Sequence, residues 1–149
     1  MTCHGWDYIG SEGRSLRAIV KQAGFPGVFS MGAESEEVIT AWLNGENNQK
    51  HDFSEQLSEE DLRDISAFLS SGLVAPELIA DLETREALGT MSTGETFYQE
   101  YCLSCHGVDG EKLNFGVATV PLYLSDIAWQ NPWRVAHVVR FGHIQTNMP

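Results

Sequence analysis

The chain has 149 residues, enough for one ordinary domain or two small ones, and its 42% apolar and 20% charged residues suit a folded protein. With 21 acidic against 9 basic residues the formal net charge is -12, which repels phosphate backbones and argues against nucleic acid as a partner. The same charge steers docking onto basic patches of other proteins. No apolar run is long enough for a transmembrane segment, and the N-terminal residues lack a signal-peptide pattern.

In chain order, the first expected helix covers Ser35 to Asn44. Ser35 caps it, Glu36 and Glu37 suit its positive end, and Gly45 stops it, with Val38, Ile39, Trp42 and Leu43 on one face. A second runs from the cap Ser58, with Asp61 three residues on, through Leu62, Ile65, Phe68 and Leu69 to Gly72. Residues 73–91 read as a connector, with a short helix expected over Glu77 to Leu88. From Thr93 the helical pattern returns, with Phe97, Tyr98 and Tyr101 on one side and Cys102 and Cys105 near the helix end. Gly107 to Gly116 is rich in turn residues and Val117 to Ala128 has no firm period. A last helix starts at Asn131-Pro132 and continues through Trp133, Val135, Ala136 and Val139 to Gly142. No strand is expected: the fold class is all-α, short helices joined by long loops.

The chemistry resides in Cys102-Leu103-Ser104-Cys105-His106, a Cys-x-x-Cys-His pattern. Two thiols at this spacing reach the two vinyl groups of one porphyrin, and the adjacent imidazole is then held beneath the iron as proximal ligand. The alternative is a zinc site in which Cys3, His4, Cys102 and Cys105 supply a Cys3His donor set. A redox dithiol wants a βαβ setting that these helical surroundings do not provide. The start of the chain repeats half of the pattern: Thr2-Cys3-His4-Gly5 matches Ser104-Cys105-His106-Gly107, and the first cysteine of a complete motif would lie just before Met1. The chain therefore reads as an internal piece of a longer protein.

Gly94 to Gly107 resembles the N-terminal helix and haem motif of class I cytochrome c domains, and Asn131 to Gly142 with Asn147-Met148-Pro149 resembles their distal half. His51 to Leu62 resembles the segment joining the distal ligand to the C-terminal helix, with His51-Asp52 where the family usually has Met-Pro. The resemblance implies that Gly94 and Tyr98 pack against a C-terminal helix and that Met148 is the sixth ligand of the second iron. It also implies two haem c groups. The first is held by Cys3 and His4 with His51 as distal ligand and Met31 as the alternative; the second is held by Cys102, Cys105, His106 and Met148, with His137 or His143 as alternatives to the methionine. His4 to His51 spans 47 positions and His106 to Met148 spans 42, each fitting one small haem domain. The expected organisation is a first domain over 1–72 lacking its N-terminal helix, a linker over 73–91, and a second domain over 92–149 lacking its C-terminal helix.

On this reading the chain is a di-haem electron carrier between redox proteins, with no catalytic residues of its own. His/Met ligation makes the second haem the more oxidising of the two. The alternative is an electron-transfer subunit or domain of an oxidoreductase: a sulfur-compound or alcohol dehydrogenase, an oxidase or a peroxidase. The family attaches its haem outside the bacterial cytoplasm, so a periplasmic location and an export signal upstream of Met1 are expected.

Overall fold

The computed structural model describes residues 3–13, 22–143, 146 and 148. Six α-helices are present among them: α1 (Glu36–Leu43), α2 (Glu59–Ala67), α3 (Met91–Phe97), α4 (Leu103–His106), α5 (Leu124–Gln130) and α6 (Pro132–Phe141). Short 3-10 turns lie at Phe29–Ala33, Gln49–His51 and Pro76–Leu78, and π turns at Phe68–Gly72 and Tyr98–Cys102. Extended pairing among the described residues is confined to isolated bridges such as Gly10 with Pro26 and Asn44 with Asp52. The fold is all-α, as the hydrophobic patterning implies.

The helix starts are set by side chains. Ser35 accepts the Val38 amide of α1, Asn131 accepts the Arg134 amide of α6, and Ser58 and Asp61 form a reciprocal capping box on α2. Two stretches depart from expectation. The helix from Ser58 is regular only to Ala67 and finishes as a π turn, where the hydroxyls of Ser70 and Ser71 both donate to the Ala67 carbonyl, at 3.0 and 2.9 Å, and compete with the helical ladder. The expected helix over Glu77 to Leu88 is reduced to the turn Pro76–Leu78. There the Asp81 carboxylate accepts the amides of Glu83 and Thr84, closing the chain into a turn that Arg85 continues at φ 66°. Conversely, α5 forms where no period was evident; seven residues are too few to display one, and Asp126 caps it by accepting the Tyr123 amide.

Two clusters hold the chain together. In the first half Ile39, Leu43 and Leu62 are buried between α1 and α2, flanked by Met31, Leu57, Ile65 and Leu69. Across the same contact the Thr40 and Ser66 hydroxyls share a 2.8 Å hydrogen bond, which satisfies the buried serine. The second cluster surrounds Trp133 of α6, whose indole N–H donates to the Pro76 carbonyl at 3.0 Å. Pro76 is thereby packed against α6, and Arg85 adds a 3.3 Å bond to the carbonyl of Gln130 at the end of α5.

Candidate functional site

The Cys-x-x-Cys-His segment leaves the π turn Tyr98–Cys102 and forms the single turn α4, which ends on His106. Cys102 is half-buried, Cys105 is exposed, and both thiols are free. Gly107 stops the helix in the left-handed region, at φ 82°, where a Cβ would press on Lys112. Tyr98 donates its hydroxyl to the Gly107 carbonyl at 2.7 Å, and Lys112 donates its ammonium to the Ser104 carbonyl at 2.6 Å, so both ends of the motif are tied down. Burial raises the Tyr98 pKa, with Cys102 and Asp109 adding to it, and keeps the phenol a donor. The His106 ring stacks on Phe115 at 6.1 Å.

The loop after His106 is repeated after His4. Gly5 has φ 80° where Gly107 has φ 82°. Three residues on, Tyr8 and Gly110 both take positive φ, 61° and 78°, and their amides bond the Gly5 and Gly107 carbonyls at 3.4 Å in both copies. The histidine carbonyls each accept the amide six residues ahead, Gly10 to His4 at 2.8 Å and Lys112 to His106 at 3.0 Å. The carbonyls of Tyr8 and Gly110 then receive the amides of Val28 and Leu124. A four-residue match in sequence thus marks a longer match in hydrogen bonding, which ends where Gly10 takes φ 72° and Lys112 does not.

The two copies differ around the imidazole. His4 Nδ1 bonds the Pro26 carbonyl at 2.8 Å, a contact held by the Gly10–Pro26 bridge; Gly10 has φ 72°, and a Cβ there would strike the Pro26 backbone. His51 Nδ1 bonds the Trp42 carbonyl at 3.3 Å. A carbonyl cannot donate, so in both histidines the proton sits on Nδ1 and the lone pair on Nε2, the form in which an imidazole ligates a metal. The two rings lie edge to face, with centroids 6.0 Å apart and planes at 69°, so His4 and His51 are the two imidazoles of the first half that could hold a metal. His106 Nδ1, by contrast, is buried with no hydrogen-bond partner among the described residues. Leu122, two residues before Leu124 as Pro26 is two before Val28, gives its carbonyl to the Phe115 amide at 2.8 Å instead.

The remaining candidates separate clearly. Met31 packs against the Ile39–Leu43–Leu62 core. His137 shares a 2.9 Å hydrogen bond with the Tyr8 hydroxyl, and burial lowers its pKa. Met148 is half-buried, its amide donating to the Thr146 hydroxyl at 3.3 Å, and His143 is exposed. Among the described residues no three His, Cys, Asp or Glu side chains converge as a metal cage, so Cys3, His4, Cys102 and Cys105 do not assemble the donor set that zinc requires. No described helix is long and apolar enough to cross a membrane. Gly94 faces open space, and Phe97 and Tyr101 of the same stretch are exposed and stacked on one another.

Sequence reasoning missed the supporting groups: the Pro26 and Trp42 carbonyls, Phe115 against His106, and the Tyr8–His137 contact. Backbone acceptors leave no mark in a sequence.

No curated protein and no solved structure matches the chain. Residues 89–149 match the family model described as "Cytochrome C oxidase, cbb3-type, subunit III". That similarity, together with the geometry of Cys102, Cys105 and His106, supports a cytochrome c class, whose members hold haem c covalently and exchange electrons with redox partners.

Proposed function

We propose that the chain is a di-haem cytochrome c that passes electrons between redox proteins in the periplasm, with one haem domain in residues 1–72, a linker over 73–91 and a second domain in 92–149. Cys3 and His4 hold the first group, with His51 as distal ligand. Cys102, Cys105 and His106 hold the second, with Met148 opposite. The bound haem supplies one-electron chemistry at iron. What supports the reading is the repeated loop: residues 4–9 and 106–111 share positive φ at the first and fourth positions after the histidine and the same carbonyl–amide bonds, and the first copy sets two imidazoles 6.0 Å apart, centre to centre.

The surroundings of the two histidines also argue for a step in potential. A hydrogen bond from Nδ1 to a carbonyl raises the basicity of the ligating nitrogen and favours ferric iron. His4 has that bond and His106 does not, which acts in the same direction as the proposed His/His against His/Met ligation. The first site is then the low-potential one, and an electron runs from it to the second.

The test is a haem count with a redox titration. Pyridine haemochrome and intact mass on the periplasmically matured protein are expected to give two haems per chain, with the His/His site titrating below the His/Met site. One haem only, or two sites of equal potential, would overturn the reading. A second reading has its own support: the family that residues 89–149 match is described as an oxidase subunit. An electron-transfer subunit of an oxidase would co-purify with a membrane complex, whereas a free carrier is recovered alone.

A further inference from the structure

One cavity belongs to neither proposed haem site. It has a volume of about 250 Å3, and its walls include Trp6 and Tyr8 from the loop after His4, and Trp133, His137, Arg140 and Phe141 from α6. Its aromatic rings are already arranged edge to face: His137 lies 5.1 Å from Trp6 at 63° and 4.8 Å from Phe141 at 53°. In a chain of net charge -12, no acidic side chain lines it among the described residues. Two arginines gather on these rings instead, Arg134 at 5.9 Å over Trp6 and Arg140 at 5.5 Å over Phe141.

We propose that this cavity binds a small aromatic carboxylate, a single ring bearing one acid group. Size comes first. A dry apolar cavity of about 150 Å3 accepts benzene, so the larger volume here takes a ring and one substituent. The walls select an aromatic ring over a saturated one, because indole, phenol and phenyl faces reward edge-to-face contact beyond plain burial. The charge selects an anion, and a guanidinium fork matches the planar carboxylate. Inorganic phosphate, strongly hydrated, gains nothing from apolar walls, and an aromatic cation meets the Arg140 guanidinium. Because walls come from both halves of the chain, an occupant clamps them together and stabilises the folded protein. The inference goes beyond electron carriage and does not depend on it.

The test is calorimetric titration of the haem-loaded protein with benzoate, cyclohexanecarboxylate and benzylammonium. Benzoate is expected to saturate with a dissociation constant below about 1 mM, cyclohexanecarboxylate to bind at least about fivefold more weakly, and benzylammonium not to bind. Arg140→Gln, at an exposed position, should weaken benzoate about tenfold. Ala136→Phe should fill the cavity and abolish binding, while Arg63→Gln on α2 should change nothing. Absence of saturable benzoate binding up to about 10 mM, equal affinity for benzylammonium, or indifference to Arg140→Gln would overturn the proposal.

Discussion

Residues 4–9 and 106–111 share their left-handed positions and their carbonyl–amide bonds but not one environment. In the second copy the left-handed position belongs to Gly110, which takes it without strain. In the first it belongs to Tyr8, for which a left-handed backbone costs about 1–2 kcal/mol. That cost is offset by what the side chain reaches: Tyr8 is buried, and its hydroxyl meets His137 on α6 at 2.9 Å. The lesson is that a loop shaped to present one histidine can be held from inside, by glycine, or from outside, by a tertiary contact. The imidazoles follow the same contrast, His4 braced by a backbone carbonyl and His106 by an aromatic ring.

The strongest way to break the comparison is to remove the second site. Replacing both Cys102 and Cys105 by Ala should eliminate covalent haem from that half and lower the pyridine haemochrome count per chain by one, leaving the first site loaded. Next, His51→Ala should open the first iron to carbon monoxide, seen as a ferrous difference spectrum that the parent protein lacks. Met31→Leu, a near volume-conserving change in the core, should leave that spectrum unaltered and cost less than about 1.5 kcal/mol in denaturant unfolding.

Stability separates the halves further. Trp133→Ala removes the indole that anchors Pro76 and should cost about 3–5 kcal/mol by chemical denaturation, whereas Ser58→Ala, which removes only the cap of α2, should cost about 1 kcal/mol. The smallest effect is on pH dependence. Burial lowers the pKa of His137 in the folded chain from its ordinary value of 6.5, so the folded state resists protonation. Its contribution is therefore complete above that value and is lost as pH falls through it toward the lower folded value. Melting temperatures followed from pH 8 to 5 should decline in the parent, and His137→Gln should flatten that decline.

How much was legible beforehand varied with the range of the forces involved. The caps Ser35, Ser58 and Asn131 act on amides three residues away, and all three were readable from residue type alone. Asp81 works over the same range, yet the helical composition of Glu77 to Leu88 concealed it. Here two side-chain bonds to Glu83 and Thr84 prevailed over propensity. Within the candidate sites, Cys102, Cys105 and His106 stand out because covalent attachment demands a fixed spacing. The pairing of His4 with His51 follows from numbering only once a fold is assumed.

By itself, then, the sequence determined where α1, α2 and α6 begin, and that one thiol–thiol–imidazole motif and half of another are present, because each depends on residues within a turn or two of one another. Tertiary structure alone decided that His51 lies beside His4, that Met31 belongs to the core, that Tyr8 meets His137, and that Trp133 bonds Pro76. Those outcomes turn on which buried groups find partners across 47, 129 or 57 positions, and no local pattern encodes that choice.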